Sequence, residues 1–394
     1  MPIVLDRSVS RLTIIVYFIQ GALGIVAIAL PLYLKDLGFS ISQIAYLTSL
    51  SSIPWFFKII YGAISDSIPL WGLRRKPYLC ICSLLSTVGW LFLALEPKSF
   101  PVILSLLFSI NIGFAATDVI TDGLIVEKSD KDTVRKYQSL AWGFRSLGAV
   151  CSGLLGGYLA TRFSYNWVFV FTAILPLMTL IYSFSVNEDK AHTKNEVIWE
   201  PMWKSLCFLV KKEYILFSLL LIVLTMTSAF GTPYFFHLKD NIGLSKNILG
   251  LISSITWIGA IIGTFIFGKF LSRVPLIKIM LIGVVLNVAG TFSCFLVFNA
   301  LSAGIIFFIN GILSYIILLP ILATAAKMSH DTGVEGCLFA VIMSIHNLGS
   351  ILGGLIGGLL FPLIGLNMLI TLSALFGLLA FPLLLKFKTI INLE

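Results

Sequence analysis

Residues 145–157 read RSLGAVCSGLLGG, and residues 346–358, which lie 201 positions further along the chain, read HNLGSILGGLIGG. Six of the thirteen paired positions hold the same residue, and four of those six are glycine. Glycine at this spacing in an apolar helix lets a second helix approach closely. Each copy lies in the fifth long apolar segment of its half of the chain. The repeat therefore indicates a duplicated helical bundle.

The composition of the whole chain fits such a bundle in a membrane. Of 394 residues, 58% are hydrophobic and 11% are charged, and the mean hydropathy is +1.01. These values are typical of a polytopic membrane protein and exclude a set of soluble domains. The net charge of +9 does not indicate nucleic acid binding, because the basic residues lie in short gaps between apolar runs. Six scattered cysteines fit neither a disulfide framework nor a zinc site, and we predict no metal and no cofactor.

Apolar runs long enough to cross a bilayer recur along the whole sequence. A spanning helix needs about 20 apolar residues, and the runs are continuous rather than alternating, which excludes membrane strands. We predict twelve spans, at about 12–34, 42–64, 78–95, 101–126, 136–160, 165–186, 213–236, 248–270, 275–297, 301–325, 335–360 and 364–386.

The lysines and arginines orient these spans. With the amino terminus inside the cell, 20 of the 27 cations fall in inner segments, 5 fall in outer segments, and Lys58 and Arg145 fall within spans. Cytoplasmic loops carry an excess of Lys and Arg, so both termini are expected in the cytoplasm.

A long inner connection divides the spans six and six. We predict an amino-terminal half over 1–186, a cytoplasmic linker over 187–212 and a carboxy-terminal half over 213–394. Apolar residues recur at helical spacing in the second part of the linker, with lysines around them. This pattern predicts a short helix lying on the cytoplasmic membrane surface.

Polar residues within the spans mark a candidate site. Gln20, Lys58, Asp118 and Arg145 each lie eight or nine residues from the nearest inner anchor, which is ~12–14 Å at helical rise. Four helices thus present polar groups at one depth. Asp122 lies one turn further inward, on the same helix face as Asp118.

Two interpretations fit these charges. A charge in a bilayer is costly and by default functional, but two cations and two carboxylates also neutralise one another as a buried network. At the offset of 201, Asp118 and Asp122 correspond to Leu319 and Ala323, so the second half lacks the carboxylates. This asymmetry favours function. His346 replaces Arg145, and either a ligand or a packing role fits a histidine among glycines.

The short inner turn after the second span carries a recognisable pattern. Gly62 is followed by Asp66, by Gly72 and by the basic run Arg74, Arg75 and Lys76. This turn resembles the signature turn of the major facilitator superfamily, whose fold is two six-helix halves related by a parallel repeat. The resemblance implies that the turn, with Glu127 at the end of the fourth span, acts as a cytoplasmic gate.

Three longer blocks narrow the resemblance to one family. SDSIPLWGLRRKPY at 65–78, DVITDGLIVE at 118–127 and WGFRSLG at 142–148 together resemble the folate–biopterin transporter family. What the resemblance implies is import of folates or pterins, coupled to protons. Arg145 and Lys58 would then hold a carboxylate, Trp142 or Phe144 would stack on the flat ring, and Asp118 or Asp122 would bind the pterin or carry the proton.

Other functions remain as alternatives, and some are excluded by the sequence. No Gly-x4-Gly-Lys-Ser/Thr run is found, so an ATP-driven pump is not expected. The same fold moving another small organic anion or a nucleoside-like cofactor is the first alternative. A non-transporting membrane receptor or scaffold is the second. Asp118 and Asp122 lie on one helix turn, unlike an intramembrane protease pair, and we expect no enzyme. We further expect a monomer in a bacterial inner membrane.

Overall fold

The computed structural model describes residues 7–127, 131–188 and 199–390. Within these ranges the chain is helical throughout, and no strand is formed beyond an isolated bridge between Leu70 and Leu73. In chain order the helices are α1 (Arg7–Ala22), α2 (Val26–Asp36), α3 (Ile41–Ser51), α4 (Lys58–Ser67), α5 (Lys76–Leu93), α6 (Phe100–Glu127), α7 (Lys131–Arg162), α8 (Tyr165–Ser183), α9 (Trp199–Phe208), α10 (Lys212–Met226), α11 (Gly231–Phe236), α12 (Lys246–Ile266), α13 (Leu276–Ser293), α14 (Ala300–Ser329), α15 (Glu335–Gly377) and α16 (Ala380–Ile390).

Several neighbouring helices join into single membrane crossings. Helices α1 and α2 form one continuous segment, as do α3 and α4, and ten segments of the described chain are long and apolar enough to cross a membrane. The last of them, Glu335–Ile390, has 56 residues, which at helical rise is ~84 Å against a ~30 Å hydrocarbon core. A positive φ of 71° at Gly365 divides it. Counted as two crossings, and with the 32-residue α7 added, these segments correspond to the twelve predicted spans.

Close contacts group the chain into two compact units. The first holds Met1–Tyr33 and Phe57–Glu200, and the second holds Leu34–Phe56 and Pro201–Glu394. The first two spans thus each contribute to both units, whereas the sequence pattern divides the chain between spans. The predicted halves stay a prediction. Residues 189–198 of the linker lie outside the described ranges, and α9 forms in the part predicted to be an interfacial helix.

Glycines set the closest helix contacts inside the first unit. A Cβ atom on Gly21 of α1 would lie 2.0 Å from the carbonyl oxygen of Arg145 on α7, and one on Gly148 would lie 2.1 Å from the carbonyl oxygen of Phe18. Neither space admits a side chain, so α1 and α7 meet backbone to backbone. This contact fixes where Arg145 lies relative to α1.

The repeated glycines make equivalent contacts inside the second unit. Gly349, the counterpart of Gly148, packs on Thr225 and Ile222 of α10, where an added Cβ would lie 1.9 Å from the Thr225 hydroxyl oxygen. Gly357, the counterpart of Gly156, would place a Cβ 1.8 Å from the Ala229 carbonyl oxygen. In each unit, the fifth span of a half therefore packs on the first span of that half. The repeated sequence thus corresponds to a repeated helix–helix contact.

Substitution of Gly148 tests this close approach. Gly148→Ala should lower the thermal unfolding midpoint of the purified protein, because overpacking of a filled interface costs about 1–3 kcal/mol. Gly143→Ala on the same helix is the matched control, since nothing lies within 4 Å of an added Cβ there. Equal midpoints for the two variants would contradict the contact.

Candidate functional site

A break in the second span places Lys58. Helix α3 ends at Ser51, a 3-10 turn over Ile53–Trp55 follows, and α4 begins at Lys58. Pro54 explains the break, because proline has no N–H and its ring clashes with a preceding helical turn. Lys58 is therefore the first residue of a new helix within the span, where its side chain reaches α6.

Asp118 on α6 is held by two partners. One carboxylate oxygen forms an ion pair with the Lys58 ammonium group, and the side chains are 19% and 6% exposed for Lys58 and Asp118, respectively. The other oxygen accepts a hydrogen bond of 2.6 Å from Nε2 of Gln20 on α1. Both oxygens of the buried carboxylate are thus satisfied, as a buried charge requires. The structure brings together three of the four polar residues predicted to share one depth.

Asp122 lies one helical turn from Asp118 and has a different environment. The hydroxyl group of Tyr17 on α1 donates a hydrogen bond to Oδ1 of Asp122. Over residues 7–127, 131–188 and 199–390, this is the one direct side-chain partner recorded for Asp122. The partners of the Asp118 carboxylate are therefore a cation and an amide, whereas the partner of the Asp122 carboxylate is a neutral phenol.

Tyr17 is a candidate site residue that the sequence analysis missed. Residues 17 and 20 lie three apart on α1 and share a face, as 118 and 122 share a face on α6. The two helices are therefore joined by two successive pairs of polar side chains, Gln20 with Asp118 and Tyr17 with Asp122. The sequence does contain a signal for Tyr17. It lies about one turn further inward than Gln20, just as Asp122 lies one turn further inward than Asp118. A tyrosine in an apolar span is too common to be selected on residue type alone.

Arg145 completes the charged cluster from α7. Its guanidinium carbon lies 5.2 Å from the centroid of the Trp142 ring, and its charge acts on both Asp118 and Asp122. Its side chain makes no ion pair with any residue that the structure describes. Trp142 is 36% exposed. A half-buried guanidinium on an aromatic face, near carboxylates but bonded to neither, is suited to binding an anionic or flat ligand.

The inner turn forms a second charged cluster in the same unit. Arg75 forms an ion pair with Asp66, donates to the hydroxyl oxygen of Ser65 at 3.0 Å, and has its Nε 3.7 Å from a carboxylate oxygen of Glu127. The residue is 9% exposed. Gly123 makes room for it, because a Cβ there would lie 2.6 Å from the guanidinium. Three of the predicted gate residues thus meet in one place.

Glu188 binds the backbone of the basic run. Its carboxylate accepts hydrogen bonds from the backbone N–H groups of Arg74, Arg75 and Lys76 at 2.7, 2.8 and 2.8 Å. A carboxylate at a helix N-terminus satisfies unpaired N–H groups and the helix dipole, so Glu188 caps α5. The Lys76 ammonium group also donates to the Phe184 carbonyl at 2.7 Å. Glu188 was missed, since no local pattern indicates a cap from 112 residues away.

His346 belongs to the second unit, while the two clusters above lie wholly in the first. It is half-buried on α15, directly before Asn347 in the chain. No metal-binding group of three or more His, Cys, Asp or Glu side chains occurs in the described part of the chain.

Comparisons with known sequences extend over nearly the whole chain. The family model described as the BT1 family matches residues 20–386. A folate-biopterin transporter of Synechocystis sp. is 30% identical over 375 residues, which cover 89% of this chain and 74% of the relative. The probable folate-biopterin transporter 4 of Arabidopsis thaliana is 27% identical over 436 residues, covering 90% of this chain and 89% of the relative.

Solved structures share the architecture. The nucleoside transporter NupG is similar with a TM-score of 0.76 at 16% identity, over 98% of this chain and 100% of that one. A D-xylose-proton symporter is similar with a TM-score of 0.72 at 14% identity, over 96% and 97% of the two chains. At these identities the likeness concerns the fold alone. It confirms the predicted all-helical, major-facilitator-type bundle.

Proposed function

This chain belongs to the BT1 family, and from that premise we propose that it imports folate- or pterin-type molecules by alternating access, driven by protons. The membership confirms the resemblance found in the sequence. It makes the chain a multi-pass membrane transporter rather than an enzyme, as predicted, and leaves no reason to favour a receptor or scaffold. The cargo, the coupling ion and the direction are the content of the proposal.

The state of Arg145 is the observation that carries the proposal. A cation inside a membrane protein is normally paired, but Arg145 stacks on Trp142 without an ion pair among the described residues. Lys58, in contrast, is already paired with Asp118. Arg145 is therefore the cation that is available to an incoming anion.

The chemistry of folate matches this arrangement. Folate carries carboxylates, which an arginine fork binds through two parallel hydrogen bonds. It also carries a flat pteridine ring, for which the partly exposed aromatic side chain of Trp142 is a candidate stacking partner. The printed names of the sequence relatives, a folate-biopterin transporter among them, support the same cargo class.

Asp122 is the carboxylate that we assign to proton coupling. Asp118 is committed to Lys58 and Gln20, so its protonation would break an ion pair and strand a buried cation. A protonated Asp122 can still accept the hydrogen bond from the Tyr17 hydroxyl group through its carbonyl oxygen, and no ion pair is broken. Loading and unloading of a proton at Asp122 therefore disturbs the site least.

The pH dependence of uptake tests the role of Asp122. Asp122→Asn should flatten the pH profile between about pH 5 and 8 and should reduce accumulation driven by a proton gradient, because the amide cannot exchange a proton. Facilitated exchange of cargo across the membrane should persist. Tyr17→Phe serves as a comparison that removes the hydrogen bond but keeps the carboxylate. An Asp122→Asn protein with the wild-type pH profile would remove Asp122 from coupling.

The inner turn is proposed to gate the cytoplasmic side. Arg75 joins the end of α4 to the end of α6 through Asp66 and Glu127, while Glu188 fixes the start of α5. Charged helix ends tied in this way move together.

The excess of basic residues in inner segments supports cytoplasmic termini, and we place the chain as a monomer in a bacterial inner membrane.

Uptake of a labelled panel tests the proposed function. Membrane vesicles containing the protein would be offered folate, biopterin and adenosine, with and without an inwardly directed proton gradient. We expect saturable, gradient-dependent uptake of folate or biopterin. Uptake of adenosine alone would favour the nucleoside-like alternative, and uptake of pterins without any effect of the gradient would overturn proton coupling.

A further inference from the structure

A small cavity lies beside Gln20 in the first unit. Side chains of α1, α5, α6 and α8 line it, and every lining residue belongs to that unit. The cavity has room for about one water molecule. Two of its lining residues, Gln20 and Ser83, each carry a buried side-chain oxygen that has no hydrogen-bond partner among the residues that the structure describes. Two unsatisfied polar atoms therefore come from residues around one small space.

The orientation of the Gln20 amide follows from its bond to Asp118. An ionised carboxylate only accepts hydrogen bonds, so the amide nitrogen Nε2, which lies 2.6 Å from Oδ1 of Asp118, is the atom that faces it. The amide oxygen Oε1 is then turned away from Asp118. Within the described ranges it is buried without a donor, and a buried amide oxygen is costly to leave in that condition.

The hydroxyl group of Ser83 differs from other buried hydroxyl groups of the first unit. Serine and threonine in helices commonly bond back to a carbonyl oxygen of their own helix, as Thr87 does at 2.8 Å and Thr172 at 2.7 Å. Ser83 is 2% exposed, and its Oγ makes no such bond and no other bond to a described residue. Its O–H group is thus left for a ligand in the cavity.

We propose that the cavity binds one water molecule, which donates a hydrogen bond to Oε1 of Gln20 and accepts one from the Ser83 hydroxyl group. Water fits because the space admits nothing larger and because its two partners need a donor and an acceptor, respectively. The bound water keeps Oε1 turned away from Asp118, and it therefore keeps the Nε2 donor turned toward it. Ser83 is a positioning residue for the bond between Gln20 and Asp118. The water site is a property of the folded protein, and only its consequence for uptake rests on the proposed function.

X-ray footprinting of the purified protein in lipid nanodiscs tests the site without any cargo. A brief X-ray pulse splits bound water into hydroxyl radicals, which oxidise the nearest side chains. Phe114 lines the cavity and is 5% exposed, whereas Phe169 is 0% exposed and packs among aromatic rings of the same unit. We expect Phe114 to be oxidised about 5-fold faster than Phe169 or more, because it lies beside a bound water. Equal rates would overturn the proposal.

Two variants show whether Gln20 and Ser83 hold the water. Ser83→Val fills the space and removes the hydroxyl group, and Gln20→Leu removes the acceptor, so each should lower the oxidation rate of Phe114 to that of Phe169. Thr87→Val is the matched control, because Thr87 is also buried on α5 but bonds within its own helix. It should keep the wild-type rate at Phe114. A wild-type rate in Ser83→Val or in Gln20→Leu would contradict the bridge, and the wild-type comparison of Phe114 with Phe169 decides the site where a variant does not fold.

Uptake gives the second readout and keeps the two proposals distinguishable. Ser83→Ala should raise the KM for folate about 3-fold or more while kcat stays within about 2-fold, because a loosely held Gln20 weakens cargo binding rather than turnover. Thr87→Val should change neither constant. An unchanged KM for Ser83→Ala would overturn the positioning role of Ser83. If the wild-type protein takes up none of the panel, the proposed function fails, and footprinting still decides the water site.

Discussion

Replacing Arg145 with alanine should lower folate uptake by roughly 30-fold or more, because truncating one partner of a desolvated charge pair costs about 2–5 kcal/mol and each 1.4 kcal/mol is tenfold. Arg145→Lys keeps the charge but loses the planar fork and the stacking on Trp142, so it should retain only part of the activity. The amount of folded protein in the membrane should stay near the wild-type level, since Arg145 has no ion pair to lose among the described residues.

Arg162 is the matched control for this experiment. It lies at the end of the same helix and is exposed, so Arg162→Ala should leave uptake and protein level unchanged. Loss of Arg145→Ala protein from the membrane would assign Arg145 a structural role. Normal uptake by that variant would remove Arg145 from the cargo site.

Replacing Lys58 with alanine should sharply reduce the folded protein itself. The change leaves the Asp118 carboxylate buried without its cation, and breaking a buried pair by removing one partner costs about 3–5 kcal/mol. We expect a steep fall in the fraction that survives detergent extraction, measured by fluorescence-detected size-exclusion chromatography. Lys35→Ala is the matched control, because its ion pair with Asp240 is exposed, at 39% and 41%, and such pairs contribute about 0–1 kcal/mol.

The double variant separates structure from function. Lys58→Met together with Asp118→Leu removes both charges, and apolar replacement of a buried pair is often neutral or stabilising. Folded protein should therefore recover, while folate uptake should not. If folded protein and uptake both recovered, the pair would be a buried structural network without a role in transport. Near-normal levels of the Lys58→Ala protein would contradict the burial of the pair.

The sequence predicted the participants of the site better than their pairing. Gln20, Lys58 and Asp118 were identified because polar groups are rare in apolar spans and helical rise converts sequence distance into depth. Depth alone does not give the partner of each group. Tyr17 was missed because a phenol in an apolar helix is unremarkable until its neighbour across the helix interface is known.

Irregular backbone was the second feature that the sequence did not specify. The second span was predicted as a single run, although Pro54 lies within it, and the break there decides where Lys58 begins its helix. Proline in a membrane helix produces anything from a mild bend to an interruption, depending on the neighbouring helices that satisfy the backbone. In this chain Asn347 does so, whereas the sequence pointed to the adjacent His346 for its titratable ring.

Equilibrium binding of labelled folate to the purified protein in lipid nanodiscs tests the central claim most directly. The account predicts saturable binding by the wild-type protein and by Arg162→Ala, and at least about 30-fold weaker binding by Arg145→Ala at equal folded amount. Binding of equal affinity by the wild type and Arg145→Ala would contradict it, because the cargo would then be held elsewhere than at the charged cluster of α1, α4, α6 and α7.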